Sequence, residues 1–222
     1  MNMQLTLDFL RDLRENNKRE WFQENKSRYE EARKQMINLL NILIPAVRKI
    51  DEQVGALEPK ECMFRIYRDI RFSKDKRPYK TNFGAVVGKG GRKSEYAGYY
   101  IHIEPGNSML GGGIYHPSAE VLKSVRREIY FNAPEFKKII NKDAFKANFG
   151  DIRGEKLKRP PKDFPKDFPD IDLLKFKDYI AMQGVSDDLL LSEHFTEHAL
   201  NAFKVMKPLQ HFINNAIDMT DN

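Results

Sequence analysis

Between Cys62 and Tyr115 the apolar residues of this chain fall on every second position, while on both sides they fall on every third or fourth. A period of two belongs to strands and a period near 3.6 to helices, so the order helix, sheet, helix constrains the fold before anything else does. On the N-terminal side Leu7, Leu10 and Leu13 form a short stripe that Thr6 is expected to cap, ending near Asn16 and Asn17. A second stripe runs from about Glu20 through Phe22, Tyr29, Met36, Leu40 and Val47 to Ile50, and Pro45 is expected to kink or bend its last turn. In the alternating stretch, Phe64, Ile66, Ile70 and Phe72 read as a strand with one apolar face. Further strands follow at 81–88, 97–104 and 108–115, joined by hairpin-like "GKGGRKSE" and "PGN" connections.

Beyond Tyr115 the helical period returns. Ser118 caps one helix and Pro134 opens another, "RPPKDFPKDFPD" is an extended loop, and "LLKFKDYIAM" predicts a short helix and a short strand. Two last helices are expected on either side of Pro208. The fold class is α+β, with N-terminal helices, an antiparallel β-meander of about four or five strands and C-terminal helices packed on the sheet. Residues 1–222 are expected to form a single domain, a length sufficient for a sizeable core. The one cysteine, Cys62, excludes an internal disulfide and a multi-cysteine zinc site and suits a reducing compartment. No apolar run reaches the roughly 18 residues of a membrane span, and Asp8, Arg11 and Asp12 interrupt any signal-peptide pattern. A soluble, cytoplasmic chain without a membrane partner is the expectation.

The charge is concentrated. Residues 65–81, "RIYRDIRFSKDKRPYKT", hold seven basic and two acidic residues, a net +5 of the chain's +6. Alternation puts Arg65, Tyr67, Asp69 and Arg71 on one strand face and Tyr100, His102 and Glu104 on another. If both strands share a core, these polar faces coincide and combine anion donors with an acid/base pair. Arg68, between Ile66 and Ile70, is expected to meet a carboxylate or to lie at the sheet margin. Lys74, Lys76, Arg77 and Lys80 follow in a loop that could cradle phosphate.

Three other patterns bear on chemistry. "GAVVGKG" at 84–90 has neither the spacing nor the Ser or Thr of a P-loop, and no cofactor is expected. "GGGIYHPSAE" at 111–120 reads equally as an anion seat at a helix start, with His116 beside it, or as close packing with His116 in a turn. "HFTEH" fits H-x-x-E-H, making His194, Glu197 and His198 metal candidates. Only Asp218 and Asp221 remain downstream as a third ligand, so a solvated helix face is preferred and no metal is expected.

The blocks "NNKREWFQENKSRYEEA" (16–32), "FRIYRDIRFSKDKRPYKTNFGA" (64–85), "GYYIHIEPG" (98–106) and "GGGIYHPS" (111–118) together resemble the bacterial and fungal family known as domain of unknown function 2461. The resemblance implies one α+β domain and brings no reaction or ligand with it.

The leading expectation is a domain whose basic sheet-and-loop site binds a phosphate- or carboxylate-bearing small molecule. Its ligand residues would come from Arg65, Tyr67, Arg68, Arg71, Lys74, Lys80 and Tyr100. If a reaction occurs, His102, Glu104 or His116 would supply acid/base function and Asp69 would orient an arginine. A nucleic-acid-binding module stacking bases on Tyr67, Tyr79 and Tyr99 is the first alternative. A structural or protein-interaction domain, in which the cations pair internally, is the second.

Overall fold

The computed structural model describes residues 1–219. Ten α-helices and four strands run in the order α1 (Met3–Glu15), α2 (Arg19–Glu24), α3 (Lys26–Ile50), α4 (Pro59–Cys62), β1 (Phe83–Gly88), β2 (Gly98–Ile103), β3 (Ser108–Ile114), α5 (Ala119–Phe131), α6 (Ala133–Ile140), α7 (Asp143–Phe149), α8 (Ile171–Leu174), β4 (Tyr179–Val185), α9 (Asp187–Leu191) and α10 (Phe195–Asp218). The fold is α+β. All four strands pair antiparallel in the order β1-β2-β3-β4, so β4 returns beside β3 after the long helical connection α5–α8. No helix among the described residues is long and apolar enough to cross a membrane.

Alternation places Tyr99, Ile101 and Ile103 of β2 on the buried face with Ala85, Val87, Leu110 and Ala181. There α10 lies against the sheet, its Phe203 ring 5.1 Å from that of Tyr99, and α3 backs both. Opposed prolines do not divide these helices: Pro45 lies inside α3 and Pro208 inside α10. An interior proline costs about 3 kcal/mol, but Ile44 and Val47 around the first and Met206, Leu209, Phe212 and Ile213 around the second continue one buried stripe. The two helices expected at Pro208 are therefore one. Thr6 is not a cap either; α1 begins three residues earlier, and the buried Thr6 hydroxyl donates to the Ala32 carbonyl at 3.2 Å, joining α1 to α3.

The largest departure from expectation is residues 64–72, which form no strand. Backbone bonding across the segment consists of Phe64 N–H to Gly84 (2.9 Å), Arg68 N–H to Pro78 (2.9 Å) and Lys80 N–H to Ile66 (2.8 Å), with a local turn bond from Ser73 N–H to Ile70 (3.4 Å) and a single bridge between Tyr67 and Tyr79. Asp69 accepts from the Arg71 amide at 3.2 Å and Asp75 from the Arg77 amide at 3.0 Å. Such i to i+2 side-chain bonds occupy the amides that a ladder needs and bend the chain away from the sheet. Ile66 is buried as alternation predicts, but Phe72 lies at the loop tip with 94% of its surface exposed. The segment is a short irregular hairpin, 66–80, and the sheet gains its fourth strand from β4 at the opposite edge.

Candidate functional site

The outer face of the sheet carries a row in which Gly84, His102, Met109 and Gly184 stand side by side, next to Val86, Tyr100, Gly111 and Met182. Positions 100, 102 and 104 of one chain segment share this face, and their side chains are bonded in series. The Tyr100 hydroxyl is 2.9 Å from His102 Nδ1, and His102 Nε2 is 3.2 Å from Glu104 Oε2. Burial pushes the Glu104 carboxyl up, yet hydrogen bonds from Asn107, Thr81 and His102 outweigh it and hold the group below its ordinary value. An ionised Glu104 can only accept, so in the neutral imidazole Nε2 carries the proton and Nδ1 accepts from Tyr100. Asn82 approaches the same Nδ1 at 3.4 Å.

The series has the connectivity of a triad: a hydroxyl donating to one nitrogen of an imidazole whose other nitrogen carries an N–H oriented by a carboxylate. The Tyr100 phenol is pushed up to about 12, first by burial and then by the charges of Glu104 and Tyr115. It therefore rests protonated. Thr81 and Asn107 fix Glu104 from both sides, at 2.7 and 2.9 Å.

Room for this arrangement comes from Gly84. A Cβ at that position would stand 2.9 Å from the Tyr100 hydroxyl and 3.5 Å from Cδ2 of Phe64. Gly84→Ala is therefore expected to displace the hydroxyl and leave His102 Nδ1 without its principal donor. The imidazole nitrogen shifts of His102 in NMR should change, while the melting temperature falls by only about 2 °C. Unchanged shifts would remove Gly84 from the account of the site.

The Phe64 ring that shares the space over Gly84 also carries Lys80, whose Nζ lies 5.4 Å from the ring centroid. Lys80 is partly buried, and its ammonium is held below the ordinary lysine value, first by desolvation and then by the charge of Arg65. No carboxylate contacts Lys80 or Arg65 among the described residues.

The rest of the basic segment is largely matched from within. Asp75 serves two arginines, Arg77 Nη2 and Arg68 Nη1, each at 2.7 Å. Its carboxyl lies well below the usual range because of Arg77 first and Arg68 with it. Arg68 thus meets a carboxylate, one of the two outcomes expected for it, although no strand face puts it there. Arg71 pairs with Asp69 at 2.6 Å out in solvent, away from the relay. Lys76 donates to the Ile70 carbonyl, and Lys74 has no carboxylate partner among the described residues. Because 64–72 is not a strand, Arg65, Tyr67, Asp69 and Arg71 do not share one face; Tyr67 turns toward α2, its ring 5.9 Å from Phe22.

The other expected groups stand apart. His116 has φ +50° and its amide donates to the buried Asp178 at 2.6 Å, a turn held by the fold. The glycines before it serve close packing: a Cβ on Gly111 would be 2.1 Å from the Ala181 carbonyl, and one on Gly112 2.3 Å from Gln210 Nε2 of α10. His194 precedes α10 with its ring exposed, while His198 Nε2 is buried without a hydrogen-bond partner among the described residues. No cluster of three metal-ligating side chains exists among the described residues. Asp218 is engaged by Lys89 and Tyr96, both at 2.6 Å, and Asp221 lies outside the described residues. Of the three tyrosines expected to stack on bases, Tyr79 and Tyr99 are buried in the core.

Sequence reasoning missed Thr81, Asn82 and Asn107, which lie in connections that alternation does not orient, although Thr81 and Asn82 begin a segment read as strand. No curated protein matches the chain, and no solved structure matches it. The model of one family, described as conserved hypothetical protein, matches residues 5–212 and so includes the relay, Lys80 and the whole sheet. The chain belongs to that family, DUF2461.

Proposed function

We propose that the protein binds a small phosphate- or carboxylate-bearing molecule over the outer face of the sheet, working as a single domain in the cytoplasm. Lys80 and Arg65 hold the anion, and the Tyr100–His102–Glu104 series moves a proton to or from it. One observation carries this reading: Lys80 is a partly buried ammonium with an aromatic ring beneath it and no carboxylate beside it. Desolvating a cation without a counter-charge is unfavourable, and an anion arriving beside it offsets that cost. The neighbouring relay is the natural chemistry for such a ligand, because its base is oriented and its hydroxyl is protonated at rest. A buried lone cysteine, its thiol pushed up to about 11 by burial, accords with a reducing compartment.

A thermal-shift panel at low salt, covering inorganic phosphate, nucleotides and di- and tricarboxylates, tests the proposal. At least one anion is expected to raise the melting temperature, and Lys80→Met, which keeps the hydrocarbon over Phe64, should weaken that anion's binding about tenfold or more. His102→Gln should leave binding within a few fold, since it alters the proton path and not the charge. A panel without any shift, or an equal shift in Lys80→Met, rejects the site.

The pH dependence has a definite sign. Lys80 is charged below its folded-state pKa, which lies under the ordinary lysine value of about 10.4. Anion affinity is accordingly present near neutrality and is lost as pH rises through that lowered pKa. Calorimetric titrations from pH 7 to 10 should show the decline beginning earlier than an ordinary lysine allows. Constant affinity across that range would place the anion elsewhere.

A further inference from the structure

A second cavity, of about 290 Å³, lies between α2 and the 66–80 hairpin, on the side to which Tyr67 turns. We infer that it is a separate binding site for a small aromatic anion, an aryl carboxylate or aryl phosphate. The inference does not rest on the proposed function.

The walls are rigid. Asn17 ties the hairpin to the α1–α2 junction by accepting from the Tyr79 amide and donating to the Tyr79 carbonyl, both at 3.1 Å. Phe22 of α2 stacks on Tyr79 with centroids 4.0 Å apart and planes 10° from parallel, and Tyr67 leans on both rings. Tyr67, Ile70 and Pro78 supply apolar surface to the cavity, while Arg19 and Gln23, one turn apart on α2, and Arg68 from the hairpin supply its polar groups.

The charge balance selects the ligand's sign. No acidic residue lines the cavity. Arg68 shares Asp75 with Arg77, so two guanidinium groups face one carboxylate, and a positive charge is left over. Arg19 makes no ion pair, and neither the Gln23 amide nor the Tyr67 hydroxyl has a protein hydrogen bond among the described residues. The larger cavity, about 690 Å³ between the end of α3 and α4, differs in this respect: acidic Glu58 and Glu61 line it together with Arg48 and Lys49.

Size and shape narrow the class. The smaller volume equals that of about ten waters, enough for one aromatic ring with an anionic substituent. A flat ring finds Tyr67 and Pro78, the planar fork of Arg19 suits the two oxygens of a carboxylate or phosphate, and Arg68, bonded through Nη1 to Asp75, adds positive charge beside it.

Calorimetry on the full chain at low salt, with phenyl phosphate, inorganic phosphate and phenol as separate probes, tests the site. Phenyl phosphate is expected to bind at least tenfold more tightly than either fragment. Arg19→Met should weaken it about tenfold, Arg19→Lys should not restore it, and the Arg19-dependent binding should persist in Lys80→Met. Arg19 is exposed, so its two variants are expected to melt like the parent. Phenyl phosphate binding no better than inorganic phosphate, or insensitive to Arg19→Met, overturns the assignment. Loss of the Arg19-dependent binding in Lys80→Met overturns it too, by moving the ligand to the sheet face.

Discussion

Asp51→Ala should lower the melting temperature by about 8 °C at neutral pH, corresponding to a loss of about 3 kcal/mol. Asp51 follows the last turn of α3 and is almost wholly buried. One carboxylate oxygen accepts from the Tyr99 hydroxyl at 2.6 Å, and the other accepts from His211 Nε2 at 2.8 Å and the Gln53 amide at 3.2 Å. Three elements, α3, β2 and α10, are joined through this one side chain. Alanine would leave the buried Tyr99 hydroxyl without an acceptor, and an unsatisfied buried donor costs more than the net worth of the bond it lost. Asp51→Asn retains an acceptor and should fall between alanine and the parent. Tyr99→Phe, which removes donor and not acceptor, should cost least, about 1 kcal/mol.

The pH dependence of that contribution follows from the same contacts. Burial pushes the Asp51 carboxyl up, but hydrogen bonds from Tyr99 and His211, the nearby His211 charge and the Gln53 amide together hold it below its ordinary value. A depressed acid stabilises the fold above its unfolded pKa, near 4, and the contribution is lost as pH falls through the folded value. Melting curves of parent and Asp51→Ala should therefore converge in acid. A difference under 2 °C at pH 7, or one that persists undiminished at pH 3, contradicts this account of the network.

How far such features are legible in the sequence depends on what aligns them. Tyr100, His102 and Glu104 could be placed on one face because a strand's period is fixed and their apolar neighbours Tyr99, Ile101 and Ile103 define the other. Asp51, Tyr99 and His211 could not, since they are 48 and 160 residues from the aspartate along the chain and meet only through helix-on-sheet packing. Arg19 and Gln23 reach the hairpin for the same reason. The basic segment failed in a different way. Its alternation was genuine at Ile66, but Asp69 and Asp75, counted only as charges, also bond the amides two residues on, and this local chemistry defeats the strand. Charge counting likewise gave the surplus without its location: three arginines are held by two aspartates, and of the four cations left over, Arg65, Lys74, Lys76 and Lys80, Lys80 is set apart by its burial rather than by its sequence context.

Gly113→Ala is the substitution with the largest expected effect on the sheet. Gly113 has φ +115°, a region that side-chain-bearing residues avoid. A Cβ there would also lie 2.0 Å from the Tyr179 carbonyl and 2.9 Å from the Ile180 Cα, both backbone atoms of β4 that cannot rotate aside. The β3–β4 pairing at Gly113 and Ile180 must open to admit the methyl group. Tyr179 resists that movement, because its buried ring packs on Phe136 and Phe176 and its hydroxyl donates to the Leu173 carbonyl at 2.9 Å. Strain and overpacking then act together, for a loss of roughly 4 kcal/mol and about 10 °C in melting temperature. Gly106 separates the two causes: its φ is +72° but nothing lies within 4 Å, so Gly106→Ala should cost only about 1 kcal/mol. Gly184→Ala, with open space and no positive φ, should be close to neutral. Hydrogen exchange should report faster amides in β3 and β4 of the Gly113 variant while β1–β2 amides remain protected. If the Gly113 and Gly106 variants melt alike, backbone strain dominates and the close approach of β4 contributes little.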